Sequence, residues 1–145
     1  MAAGRGVKVF FDNCTAPVLA STLHGFISHY GHSAFHIKDV PGLARGRSAP
    51  DVDWIELLRS AQDTWIFISG DGRILRNPPE RVALRSSGLH GFILAPAYQK
   101  NPMHMNAALL ISRWPDIEQI TQILSAPSMH EIPIGKSTKL RALPL

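Results

Sequence analysis

The sequence predicts a single α/β domain with a central, mainly parallel β-sheet and helices on both faces. Three observations lead there. Short β-branched or aromatic runs alternate with amphipathic stretches in the order β-α-β-α-β-α-β-α. The run Thr64-Trp65-Ile66-Phe67-Ile68 is continuously apolar, as a strand covered on both faces must be. The 145 residues, 45% hydrophobic and 18% charged, supply one sizeable core and little room for a second. The same reading assigns 1–126 to the domain and 127–145 to a C-terminal tail, an edge strand or extended arm.

The elements follow in order. Val7-Lys8-Val9-Phe10-Phe11 reads as a strand that stops at Asp12-Asn13. From Ala16 to about Tyr30, Leu19, Leu23, Phe26, Ile27 and Tyr30 recur at helical spacing, and Gly31 ends the run as a C-cap. Ala34 to Ile37 is a second strand, and residues 38–50 form a loop carrying Arg45 and Arg47. Asp51 stands where an N-cap belongs, and Trp54, Ile55, Leu58 and Ala61 give the next helix its buried face. The apolar third strand ends at Ser69-Gly70-Asp71-Gly72, and Pro78-Pro79-Glu80 opens a short helix. His90 to Leu94 is a fourth strand, and Asn106 to Leu124 a long helix with a bend expected at Trp114-Pro115.

Several function classes are excluded at this level. The longest apolar runs, such as Ala107 to Ile111, are far too short for a membrane span. The polar stretch Met1 to Gly6 does not read as a secretion signal, and a single cysteine forms no internal disulfide, so a cytoplasmic chain is expected. Gly135-Lys136-Ser137 mimics the end of a phosphate-binding loop, but position 130 is His where Gly is required. The seven histidines lack zinc spacing; His24, His29 and His32 read as surface residues and His36 as buried and hydrogen-bonded. Cys14 reads as a small buried hydrophobe.

Ligands of open parallel sheets bind beyond the carboxyl ends of the strands. Asp12 follows the first strand, Asp71 the third, and Asp51 and Asp53 open the second helix on the same side. Carboxylates brought together repel unless protons or cations neutralise them, and hard divalent cations such as Mg2+ do so with oxygen ligands. Charge is also divided along the chain. Residues 1–72 hold six basic and seven acidic residues, and residues 73–145 hold nine and four. That could place acids beside a surface that attracts phosphates.

At this point the residues resemble a family. Strand-Asp12, then Gly31-His32 through His36-Ile37-x-Asp39, then Asp51-Val52-Asp53-Trp54-Ile55, then Trp65 through Ile74, look like the PIN-like domains, and more closely their VapC-type branch, the toxins of bacterial toxin–antitoxin pairs. The segment Arg76-Asn77-Pro78-Pro79-Glu80-Arg81 has the look of that branch too.

The resemblance implies a Mg2+- or Mn2+-dependent ribonuclease that hydrolyses RNA phosphodiester bonds. Asp12 and Asp71 would be metal ligands, with Asp51 or Asp53 between them, and Ser69 would be a supporting group. Arg73 and Arg76 on one side, and Arg45 and Arg47 on the other, would grip RNA phosphates. Tyr98 and Trp114 are candidates for stacking on bases. An antitoxin protein and a second copy of the chain are the implied partners, and the apolar long helix offers surface for either.

Related sequences often carry an acid directly after the first-strand Asp; this one carries Asn13, a neutral ligand at best. Two other readings therefore stand beside the first: a non-catalytic PIN-like module that binds RNA or a protein, and a small α/β domain whose acids only cap helices and turns.

Overall fold

The computed structural model describes residues 6–145; the polar N-terminal stretch before Gly6 lies outside them. Six strands form one sheet in the order β2-β1-β3-β4-β5-β6. β1 (Lys8–Phe11), β2 (Ser33–His36), β3 (Trp65–Ser69), β4 (His90–Leu94) and β5 (Ser128–Ile132) are mutually parallel, and β6 (Arg141–Leu143) runs antiparallel to β5. Among the described residues no helix is long and apolar enough to cross a membrane.

The two-residue period of the strands divides the core into two layers. Val9, Phe11, Ile66, Ile68 and Phe92 point to one face, where α1 (Pro17–Ile27) and α4 (Met103–Ile123) cover them. Phe10, Phe67, Ile93 and Met129 point to the other, under α2 (Asp51–Ser60) and α3 (Pro78–Arg85). Phe67 is fully buried and stacks edge-on with Trp54. Removing such a ring costs about 3–5 kcal/mol. No side chain fits at Gly91, where a Cβ would come within 2.2 Å of the Phe67 ring.

Several local expectations are corrected. Ser128–Ile132 is an interior strand between β4 and β6, and the edge falls to Arg141–Leu143; residues 127–145 complete the sheet. Asp51 is the first residue of α2, whose N-cap is Pro50, because its carboxylate turns inward to Trp54. α4 begins at Met103, earlier than the expected Asn106, and includes Pro115, with Trp114 and Ile117 buried on either side of it. His32 is largely covered: Nδ1 accepts from the Val7 N–H, and Nε2 lies 2.8 Å from the Glu118 carboxylate on α4. Tyr98 and Trp114 are packed in the core layer and present no ring for a base.

The chain enters β1 and then goes to β2 on one side and β3 on the other. This reversal leaves a crevice at the carboxyl ends of β1 and β3. Phe11 pairs with Ile68 in register, so the residues that follow, Asp12 and Ser69, meet at its floor.

Candidate active site

Asp12 leaves β1 with its backbone N–H still bonded to the Ile68 carbonyl, so its position is an extension of the ladder. Its side chain is buried, at 3% exposure. Ser69 Oγ donates to Oδ2 at 2.5 Å, and the N–H groups of Cys14 and Gly70 donate to Oδ1 at 3.1 and 3.3 Å. Burial pushes the Asp12 carboxyl up to about 6 despite those three bonds, and the nearby Asp51 adds to the rise. The turn after Asp12 is held from β2. His36, buried as the sequence suggested, donates from Nε2 to the Thr15 carbonyl, and Thr15 Oγ1 donates to the Asp12 carbonyl.

Ser69, fully buried, connects the two strand ends: it donates to Asp12 and accepts from the Asp71 N–H at 3.1 Å. Gly70 between them is required by contact, since a Cβ there would stand 2.5 Å from the Cys14 carbonyl oxygen. Asp71 caps the 3-10 turn Gly72–Leu75, accepting from the Arg73 N–H, and its carboxylate is gripped by the Arg73 guanidinium. That grip holds Asp71 below the usual carboxylate range.

Asp51 lies half-buried at the start of α2, where the helix N-terminus favours an anion. Burial raises its pKa, opposed by the Trp54 Nε1 hydrogen bond at 2.9 Å and reinforced by Glu80 and Asp71. Asp53 is exposed, and its side chain forms no bond to these acids among the described residues. Glu80, in the first turn of α3, is the group that sequence reasoning passed over. Its Oε2 is buried with no hydrogen-bond partner, and its charge reaches Asp51. The available signal was an acid in the first helical turn after the Asp71 strand end, which read only as a helix start.

Around this centre, Asn13 is exposed and accepts from Arg47 Nε at 2.9 Å, which brings Arg47 to the rim. Arg45 and Arg76 are exposed. Cys14, expected to be buried, is exposed; partial burial of its thiol, with Asp12, Asp71 and Asp51 close by, pushes it up to about 11. A thiol so protonated at neutral pH is no nucleophile.

Among the described residues no three His, Cys, Asp or Glu side chains stand close enough to share one ion as they are now placed. Asp12 is turned to Ser69 and Asp71 to Arg73. The donor chemistry nevertheless fits a hard divalent cation. All the groups are carboxylates, two are destabilised in their charged form, and a third, Glu80, has an orphaned oxygen.

A family model described as a PIN like domain matches residues 7–96. No curated protein and no solved structure gives a significant match. The matched segment holds Asp12, Asp51, Asp71 and Glu80, and ends before α4, β5 and β6.

Proposed function

The chain belongs to the PIN-like domain family, and from that premise we propose that it is a Mg2+- or Mn2+-dependent endoribonuclease. PIN-like domains are typically nucleases. The observation that carries the finer reading is the orphaned Glu80 oxygen beside Asp51, in a crevice where the Asp12 carboxylate is buried at a cost to its charged form.

Asp12, Asp51, Asp71 and Glu80 would hold the ion, which would supply Lewis-acid chemistry for phosphodiester hydrolysis when bound. The chain's own residues do the rest. Ser69 and the Cys14 and Gly70 N–H groups fix the Asp12 carboxylate, and the Thr15–His36 pair fixes its backbone. Arg73, released from Asp71, and Arg76 and Arg47 at the rim bind flanking phosphates. Asn13, committed to Arg47, serves that rim. Asp53, exposed, is not needed as a ligand in this reading.

By its resemblance to the VapC-type branch, the protein acts in the cytoplasm as the toxin of a toxin–antitoxin pair. The exposed Met103, Met105 and Ile123 of α4, with Leu124 just after it, offer apolar surface for the antitoxin or a second copy of the chain.

Incubating the purified protein and an Asp71→Asn variant with a mixed RNA pool, in Mg2+ or Mn2+ and again in EDTA, tests this reading. Metal-dependent cleavage that the variant lacks is the expected result. A second reading, a binding module without catalysis, is favoured by the arginines already placed on Asn13 and Asp71. Retained RNA binding with no cleavage in any metal would establish it.

A further inference from the structure

A cleft of about 630 Å3 opens directly beyond Asp71. Gly70, Asp71 and Cys14 form its near wall, shared with the acidic centre, and Arg141, Leu143 and Pro144 of the C-terminal segment form its far wall. We propose that this cleft seats one unpaired nucleotide of the RNA substrate, with β6 as its outer wall. The inference rests on the ribonuclease reading and adds what the substrate must look like beside the bond that is cut.

Charge favours a phosphate-bearing occupant. Arg73, Arg76, Arg81 and Arg141 line the cleft against only Asp71 and Glu131. Arg141 pairs with Glu131 at 3.2 Å but is two-thirds exposed, so the guanidinium is free to turn towards a ligand. The floor is apolar, made by Leu75, Ile93 and Leu94 at the end of β4, which suits the face of a base. Gln99 supplies a neutral donor and acceptor at the edge. The volume lies in the range of sites that hold one small ligand, and the apolar floor asks for a base whose face is not already covered by stacking in a duplex.

The outer wall is fixed at both ends. Buried Arg113 on α4 donates to the carbonyls of Gly135 and Thr138, which anchors the loop leading into β6. Arg85 on α3 donates to the Leu145 carbonyl at 3.2 Å, which anchors its exit. Between these points β6 makes a three-residue antiparallel ladder with β5, and Arg141 stands opposite Glu131 at the carboxyl edge of the sheet. Apart from Arg85, all of this lies outside the segment that the family model matches.

The test measures binding of a fluorescent 12-nucleotide single-stranded RNA, and of the same strand in a duplex, in EDTA so that no cleavage occurs. Arg141→Ala should weaken single-strand binding about fivefold or more, in the range expected for a lost charge-assisted phosphate contact. Lys139→Ala, an exposed charge outside the cleft, should change it far less. Equal effects of the two variants, or a wild type that prefers the duplex, would overturn the proposal. In a second measurement, photocrosslinking of a 4-thiouridine strand to the wild type should label the peptide containing Leu143 and Pro144; labelling confined to other peptides overturns it too. Because these readouts need no catalysis, an inactive protein that passes them sinks the ribonuclease reading alone. An active one that fails them sinks the subsite alone.

Discussion

Arg73 and Asp71, two residues apart, form a closed fork: Nε lies 2.9 Å and Nη2 2.6 Å from the same carboxylate oxygen, and Nε reaches the second oxygen at 3.0 Å. The guanidinium thus occupies the lone pairs that a cation would use. It is itself largely exposed, so solvent screens the pair and opening it is inexpensive. Arg73→Ala should therefore tighten Mn2+ binding to the RNA-free protein by about two- to fivefold, the equivalent of ~0.4–1 kcal/mol. It should weaken RNA binding at the same time. Calorimetric titration with Mn2+ measures the first effect; weaker or unchanged Mn2+ binding refutes the competition.

Asp12 makes the centre costly to fold. Its folded pKa, raised to about 6 by burial, exceeds the ordinary value near 3.9 of an unfolded chain. The folded state holds the proton more tightly, so this stabilising contribution is full below about pH 4 and is lost as pH rises through 6. Asp12→Asn should raise metal-free stability at pH 7.5 by an amount on the order of 1–3 kcal/mol, a few degrees in Tm, with little gain at pH 4. Thermal melts of both proteins across that range decide it. Adding Mg2+ should stabilise the wild type and leave the variant unmoved.

Three buried histidines pull the other way. Burial lowers the pKa of His36, His90 and His130, and the nearby His130 lowers that of His90 further. A folded pKa below the unfolded value near 6.5 means that stability is complete above 6.5 and declines as pH falls through it. In an Asp12→Asn, Asp51→Asn background, which removes both acids whose pKa is raised, the urea midpoint should fall between pH 7 and pH 5. His90→Gln should flatten the decline. A midpoint that rises on acidification in that background contradicts the assignment.

Glu80→Gln keeps the shape of α3 and removes one charge. With an oxygen that has no partner to lose, the folded protein should keep its Tm within about 1 °C or gain slightly. RNA cleavage should drop about 10- to 100-fold, the usual cost of losing one group around a metal. Full activity in this variant would remove Glu80 from the centre.

The alternation of strands and helices was legible because each core strand carries its own signal. Thr64 to Ile68 is apolar throughout, and β4 is fully buried from His90 to Leu94. The carboxyl-edge positions of Asp12 and Asp71 followed from strand ends alone. The direction of a side chain did not. Asp51 and Asp53 share one helical turn, and only the packing of Trp54 against Phe10 shows which of them faces inward. Glu80 approaches Asp51 because α3 lies against α2, a tertiary fact with no local pattern. β5 was hidden for a related reason: Ser128-Met129-His130-Glu131-Ile132 is too polar to announce an interior strand, and its serine is accommodated only by the neighbouring strand, where His90 Nδ1 meets Ser128 Oγ at 2.6 Å.

The place of β5 between β4 and β6 has a consequence for what can be cut away. A chain ending at residue 96, where the family match stops, would keep every acid of the centre yet leave β4 as a bare edge, its five buried residues facing water and its backbone unpaired along one side. Such an edge is a template for joining another chain. Expressed alone, that shortened piece should aggregate or pair with itself, so the segment by which relatives are recognised is smaller than the unit that can survive as a monomer.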